Sequence, residues 1–331
     1  MSDLFNAMVV DMVDEQYQAS IKKISDKDLP DEDVLVDIDY STINYKDGLV
    51  ITGSMPFCRS FPMICGIDLA GTVIESRDSN FKAGERVLVN GYGLSERHSG
   101  GYTQKQRLKP EWLVRVPEQF SNKQAMALGT AGYTSMLCVL ALIDHGVKPE
   151  DGPILVTGAA GGVGSVAVSL LSKLGYKITA STGRVNECSD FLKNLGATDL
   201  LPRAELARKC EPLESEKWAG VIDTVGDTVL ATAIAQTKYS GIVAACGLAG
   251  GAAMTGTVIP FILRNVTLKG VDSVMAPLAI RQRAWDELAK LIDISQLETV
   301  YTVEPMTKLP ELAKDILAGK IRGRVVIDVN A

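Results

Sequence analysis

The segment Val156-Thr157-Gly158-Ala159-Ala160-Gly161-Gly162-Val163-Gly164 sets a glycine-rich turn between an apolar run and a helix-patterned stretch. Glycines there let the backbone approach a pyrophosphate closely, and the N-terminus of the following helix offers unpaired N–H groups with partial positive charge. The expected phosphate cradle is Ala160, Gly161, Gly162, Val163 and Gly164. Glycine turns also join strands to helices with nothing bound, so a second signal is needed. In a site that prefers NAD, an acidic residue about twenty positions on holds the ribose 2'-hydroxyl. Counting from Gly161 reaches Lys177-Ile178-Thr179-Ala180-Ser181-Thr182-Gly183-Arg184, which contains no carboxylate. A 2'-phosphate suits Ser181, Thr182, the Gly183 backbone and the Arg184 guanidinium. NADPH is therefore the expected cofactor; the alternative is that Arg184 merely opens a solvated helix.

The elements that must position this turn follow from periodicity. The first 125 residues read as short strands punctuated by Gly, Pro, Asn and Asp, among them Val34 to Tyr40, Leu69 to Ile74 and Arg86 to Val89. From about Gln124 helices and strands alternate: a helix over Ala125 to Ile143, a buried strand over Ile154 to Thr157, and the helix after the turn through Leu174. A strand over Lys177 to Ala180 and further alternation through Val266 to Gly270 complete the pattern. Parallel strands joined by helices make a doubly wound sheet with its ligand crevice beyond the carboxyl ends of the strands. Gly247, Leu248 and Ser273 fall at such ends and are expected to meet the carboxamide or ribose. The expectation is an α/β protein: a β-rich domain over 1–124 and 297–331, a Rossmann domain over 125–296, and an active cleft between them.

Composition narrows the functional classes. With 331 residues, 46% hydrophobic and 22% charged, the chain can bury two cores. A net charge of −6 excludes a general nucleic-acid surface. The first residues, Met1 to Asn6, lack the basic and apolar regions of a leader, and no stretch is expected to reach the length of a membrane span, so the expected location is cytoplasmic. Six cysteines without a C-x-x-C pair, and only His98 and His145 as imidazoles, are poor material for zinc. The bland reading is reduced, partly buried thiols.

Four stretches carry a family likeness: Asn44-Tyr45-Lys46-Asp47, Cys65-Gly66-Ile67-Asp68-Leu69-Ala70-Gly71-Thr72-Val73, Gly129-Thr130-Ala131-Gly132-Tyr133-Thr134 and the glycine turn. With them the chain resembles the medium-chain dehydrogenase/reductase superfamily over nearly its whole length. It looks like the zinc-free quinone oxidoreductase branch, because Asn44 stands where the family has a zinc-ligand Cys and Gly66-Ile67-Asp68 where it has Gly-His-Glu. Ser181 to Arg184, Ala245 to Gly251 and Pro260 to Val266 are similar to the bacterial acrylyl-CoA reductase (YhdH-type) subfamily. The resemblance implies a GroES-like catalytic domain, NADPH-dependent reduction of acrylyl-CoA to propionyl-CoA without metal, and a homodimer joined near Val266 to Val271. Two rival functions stay open: an NADPH-dependent reductase of quinones or small enones, and a non-catalytic NADPH-binding protein.

Without a Lewis acid, the acceptor must already carry a group conjugated to its double bond, as an enone or enoyl thioester does. The protein then orients reactants, excludes water and donates hydrogen bonds to the developing enolate. The resemblance sets Asn44, Tyr45, Lys46 and Asp47 against nicotinamide and acceptor. Asn44, Tyr45 and Asp47 are the catalytic candidates, with Tyr45 also a cofactor contact; a plain turn fixed by Asp47 is the alternative. Thr134 is a cofactor contact by resemblance, with helix capping as its alternative for Thr130 or itself, and Ile262 is a contact whose alternative is core packing. Lys320, Arg322 and Arg324 form a basic run that either touches CoA or NADPH phosphate, with Arg322 the cofactor candidate, or faces solvent. The Gly91 to Tyr102 loop is a possible lid, with His98 read as a loop hydrogen-bonder.

Overall fold

The computed structural model describes residues 4–331; Met1, Ser2 and Asp3, where the leaderless start was read, lie outside the described residues. The chain divides into two compact units. The first comprises residues 1–130, 273–289 and 297–331, and the second residues 131–272 and 290–296.

The first unit is built on antiparallel strands. Val34–Thr42, buried at Val34, Val36 and Ile38, pairs antiparallel with Asp68–Ser76, which pairs with Arg86–Asn90. The far edge of this seven-stranded sheet is supplied by the chain's end, where Arg324–Asp328 pairs antiparallel with Val34–Thr42 and parallel with Tyr301–Pro305. The tail thus pairs with the sheet of the first unit. A smaller sheet of Phe5–Val13, Gln16–Ile24 and Met63–Ile64 completes it. The segment 273–289 also belongs to this unit, although sequence reading kept it with the second. The cause is local: Trp285 Nε1 donates to Asn90 Oδ1 at 3.2 Å and the fully buried Arg281 Nη1 to Asn90 O at 2.6 Å.

The second unit is a six-stranded, wholly parallel sheet. Its strands run spatially as Asp199–Pro202, Ile178–Thr182, Ile154–Val156, Trp218–Asp223, Thr237–Ala245 and Thr267–Gly270. In chain order that is 3-2-1-4-5-6, so the order reverses between Ile154–Val156 and Trp218–Asp223, the switch point where such folds take nucleotides. Ile154, Leu155 and Val156 are fully buried, as strands covered on both faces require.

One expectation needs correction. The helix Asn122–His145 is long and apolar enough to cross a membrane, whereas sequence reading found no such stretch. Its most apolar window is 89% buried inside the protein, which is why it reads as a core helix. It is also broken at Gly129, whose φ of 51° and ψ of −154° lie outside helical geometry.

Candidate active site

In the second unit, the glycine turn sits at the switch point. The helix Gly162–Lys173 starts with Gly161 as its N-cap, and Ser165 N already bonds to Gly161 O at 2.9 Å. The N–H groups of the first helical turn therefore face outward without helical partners. Gly158 turns the chain at a φ of +59°, and its carbonyl accepts from Gly161 N at 2.9 Å. A Cβ on Gly164 would lie 2.4 Å from Gly158 O and 2.6 Å from the Ala159 Cα, so helix and turn touch only because that atom is missing.

Hydrogen bonds stitch the turn to its neighbours. Ala159 N donates to Ser181 O at 3.0 Å, fixing the turn against strand Ile178–Thr182. On the other side Thr157 Oγ1 donates to Asp223 Oδ1 at 2.7 Å and accepts from Thr224 N at 3.0 Å. Asp223 Oδ2 accepts from Gly226 N at 2.8 Å, and burial pushes this carboxyl above its ordinary pKa. Gly247 packs so tightly that its Cβ would fall 2.4 Å from Thr224 O. Sequence reading missed Thr157, Asp223 and Thr224. The signal was present, since Asp223-Thr224-Val225-Gly226 closes a buried strand as the glycine turn does.

The predicted contacts on this unit distribute as follows. Ala160 is buried and Gly161 to Val163 are half-buried, with Ser135 Oγ donating to Val163 O at 2.6 Å. Ser181 is 1% exposed and its hydroxyl is enclosed without a hydrogen-bond partner among the described residues, while Thr182 Oγ1 accepts from Arg184 N at 3.2 Å. Gly183 is exposed and Arg184 half-buried, opening helix Val185–Asn194 as its N-cap. Thr134 is buried within helix Asn122–His145. Leu248 is 51% exposed beyond strand Thr237–Ala245, and Ile262 is 70% exposed, so core packing does not account for it. An outward-facing helix start, glycines that admit no Cβ, and a strand end with a cation and no carboxylate fit a phosphorylated dinucleotide.

The first unit holds a separate polar cluster. Asn44 caps helix Tyr45–Thr52, and Asp47 closes a capping box, its Oδ2 accepting from Asn44 N at 2.9 Å. Turn chemistry is therefore real here. It is not the whole account, because Asn44 Nδ2 also donates to Asp68 Oδ2 at 2.8 Å and Asp47 Oδ1 accepts from Ile67 N at 3.0 Å. Asp68, fully buried, further accepts from Asn90 Nδ2 at 2.7 Å, Thr130 N at 2.9 Å and Thr130 Oγ1 at 2.5 Å. The break at Gly129 makes this possible, turning Thr130 toward the carboxylate. Thr130 thus serves Asp68.

The charge of the cluster is balanced by Arg324, 4% exposed. Its Nη2 donates to Thr42 Oγ1 at 2.7 Å, its Nε to Ala127 O at 3.2 Å and its Nη1 to Ile43 O at 3.3 Å. Sequence reading grouped Arg324 with a basic run facing phosphate or solvent; it is instead a buried counter-charge, and Lys320 pairs with Asp315 at 3.2 Å. Burial pulls the Arg324 pKa down, against the upward pull of Asp68 and Asp47. Burial, and then the Asp68 charge, push Asp47 up to about 7. Tyr45, by contrast, is 37% exposed at the first helical position, the one catalytic candidate with its ring open to a ligand. Ser273 is half-buried with its carbonyl accepting from Arg281 Nη2 at 3.1 Å, and Arg322 is exposed. His98 rests against Trp112, with ring centroids 4.7 Å apart, and burial lowers its pKa.

Asn44 Nδ2 donates to Thr42 O, Asp47 and Asp68. Among the described residues no group of three His, Cys, Asp or Glu side chains could hold an ion.

Comparison with known proteins bears on both units. The family model described as an alcohol dehydrogenase GroES-like domain matches residues 30–118, and that described as a zinc-binding dehydrogenase matches residues 162–293. The chain is 50% identical over 331 residues to the acrylyl-CoA reductase AcuI of Ruegeria pomeroyi, covering 99% of this chain and 100% of that one. Among solved structures it resembles the yhdH oxidoreductase of Salmonella enterica in complex with NADP, at a TM-score of 0.95 and 49% identity, over 98% of this chain and 99% of the other. It also resembles the Bacillus subtilis protein yhfP with NAD bound, at a TM-score of 0.94 and 40% identity, over 99% and 100% of the two chains.

Proposed function

The chain belongs to the medium-chain dehydrogenase/reductase superfamily, in its quinone oxidoreductase-like branch, and on that premise we propose that it is an NADPH-dependent reductase converting acrylyl-CoA to propionyl-CoA. The observation that carries this reading is the 50% identity to an acrylyl-CoA reductase across the full length of both chains. When bound, NADPH would supply the hydride for the β-carbon of the enoyl thioester, and a proton added at the α-carbon would complete the saturated product. The glycine turn at Gly158 to Gly164 binds its pyrophosphate, and Ser181 to Arg184 receive the ribose end. Thr134, Gly247, Leu248, Ile262, Ser273 and Arg322 are the further cofactor contacts of this reading.

The catalytic assignments rest on family resemblance together with the cluster's geometry. Asp47 orients Asn44 and the Ile67 backbone, holding the start of helix Tyr45–Thr52 rigid. That rigidity fixes Tyr45, whose hydroxyl is the available donor to a carbonyl oxygen gaining negative charge. Acceptor choice follows, since an enoyl thioester is polarised by its own carbonyl and needs no metal for activation.

The decisive assay follows NADPH oxidation by purified protein with acrylyl-CoA, crotonyl-CoA and a benzoquinone. Acrylyl-CoA is expected to give the highest kcat/KM, by at least about tenfold over the quinone. A quinone preferred over inert acyl-CoAs would replace this substrate with that of the second reading. Binding of NADPH with turnover on none of the three would leave a non-catalytic binder.

The functional unit is a homodimer assembled on the second unit, in the cytoplasm. Strand Thr267–Gly270 is a sheet edge with open backbone groups, and beside it in sequence Val258, Ile262 and Leu263 are 66%, 70% and 63% exposed. Such an edge is an unpaired template flanked by apolar surface. Sedimentation equilibrium is expected to give twice the chain mass of 35.5 kDa, shifting toward the monomer on Leu263→Asp. A wild-type monomer at micromolar concentration would refute this assembly.

A further inference from the structure

Two of the cysteines, read from sequence only as reduced, partly buried thiols, meet inside the second unit. Strand register brings them there. Trp218–Asp223 and Thr237–Ala245 run parallel with Gly220 opposite Ile242 and Ile222 opposite Ala244, so these four residues share one face of the sheet. Cys246, two residues beyond Ala244, extends that face, because Cys246 N still donates to Asp223 O at 2.9 Å and prolongs the ladder. Helix Asn122–His145 covers the same face, since a Cβ on Gly220 would lie 3.1 Å from Leu142 Cδ2. Nearer the start of that helix, Ser135 Oγ donates to Val163 O beside the glycine turn at 2.6 Å. Cys138 stands between these two contacts, one helical turn from Leu142, at the level that Cys246 reaches. There the two thiols are hydrogen-bonded neighbours.

The two sulfurs differ in exposure. Cys138 is fully buried, and its hydrogen bond with Cys246, followed by burial, holds it well above the ordinary thiol pKa, so it stays protonated. Cys246 is half-buried at a strand end, on the side of the sheet that takes the dinucleotide. An accessible sulfur backed by a protected one suits an oxidisable thiol and its resolving partner. The Cys246 thiol also donates to Asp223 O at 3.4 Å, and Asp223 and Thr224 hold Thr157 at the entry to the glycine turn. The next residue, Gly247, has no slack, with its Cβ position 2.4 Å from Thr224 O.

We propose that Cys138 and Cys246 form an oxidisable dithiol, converted to a disulfide by hydrogen peroxide, and that this disulfide lowers the affinity of the second unit for NADPH. The Cys246 sulfur attacks the peroxide, the O–O bond breaks, water leaves and a sulfenic acid forms. The Cys138 sulfur then displaces the hydroxyl as a second water while the S–S bond forms. Two thiols thereby lose two electrons and two protons, and the peroxide is reduced to two waters. The new bond draws Cys246 Sγ off Asp223 O toward the helix, and Gly247, packed against Thr224, shifts with it. The loss of affinity rests on the reading that Gly247 and Leu248 contact NADPH; the disulfide does not.

The test exposes the reduced full chain, Cys246→Ser and Cys138→Ala to hydrogen peroxide, then reads peptide masses and NADPH binding by fluorescence titration. Wild type is expected to yield a cross-linked Cys138–Cys246 peptide and to bind NADPH at least about tenfold more weakly until dithiothreitol restores it. Cys138→Ala is expected to stop at a sulfenic acid that dimedone captures on Cys246, and Cys246→Ser to keep its NADPH affinity within about twofold through the treatment. Absence of the cross-linked peptide in wild type would overturn the proposal. So would a cross-link that leaves NADPH affinity unchanged, or an equal loss of affinity in Cys246→Ser. A reduced wild type that binds no NADPH defeats the cofactor reading, and with it the loss of affinity, whereas the cross-link stands or falls on mass alone.

Discussion

Replacing Gly164 by valine is expected to weaken NADPH binding by at least about 100-fold, close to 3 kcal/mol, and to lower the melting temperature at the same time. The cause is steric contact between backbone segments. With Gly158 O at 2.4 Å and the Ala159 Cα at 2.6 Å from the added Cβ, helix Gly162–Lys173 must lift off the turn, and no side-chain rotation can relieve it. The N–H groups that cradle the pyrophosphate move with the helix, and displacements near 1 Å are enough to lose hydrogen bonds of this kind. Gly161→Ala separates ligand approach from folding. Among the described residues beyond its chain neighbours, only Gly158 O at 3.3 Å comes within 4 Å of its Cβ, and its φ of −83° suits any residue. It is expected to keep the melting temperature within about 2 °C and still weaken NADPH about tenfold, because the methyl occupies the ligand's side of the turn. Fluorescence titration beside thermal melts decides the matter; unchanged binding in both variants would remove the turn from the cofactor site.

Why the turn was legible and the polar cluster was not follows from where each keeps its information. The cradle is local: Gly158 to Gly164 and Ser181 to Arg184 lie on consecutive strands, so a spacing rule reaches both. Arg203 follows strand Asp199–Pro202 and stands beside Gly183 only through the register of Thr182 with Pro202. In the first unit, Asn44 and Asp47 could be picked out from family resemblance, and their capping geometry from turn chemistry. Asp68, Asn90, Thr130 and Arg324 come from four distant segments. Nothing in the spacing of Lys320, Arg322 and Arg324 distinguishes the one that is buried; strand pairing of Arg324–Asp328 with Val34–Thr42 decides it. Exposure was equally hidden, since core packing stayed open as the alternative for Ile262, which is 70% exposed beside the edge strand Thr267–Gly270.

The buried cluster carries the largest expected effect on stability. Arg324→Leu removes the cation facing two fully buried carboxylates, Asp47 and Asp68, and leaves Thr42 Oγ1 and the carbonyls of Ile43 and Ala127 without their donor. Losing a nearby buried cation and stranding three buried acceptors costs about 3–5 kcal/mol, because the carboxylates stay desolvated with no compensating charge. The deficit must depend on pH, and its sign is fixed by Asp47. That group's folded pKa is raised from 3.8 to about 7, so between those values the folded state binds more protons than the unfolded one. Stability from this source is full below about pH 4 and is lost as pH rises toward about 7. Taking away Arg324 raises the Asp47 pKa further, so the variant keeps losing stability at pH values where the wild type has levelled off. Urea unfolding at about pH 5 and pH 8 is therefore expected to show a larger wild-type-minus-variant difference at the higher pH. Arg324→Lys, which keeps the charge but not the three-way fork, should fall between the two. A deficit under about 1 kcal/mol, or one equal at both pH values, would show that Arg324 is not the counter-charge that lets Asp47 and Asp68 hold Asn44 and the start of the Tyr45 helix in place.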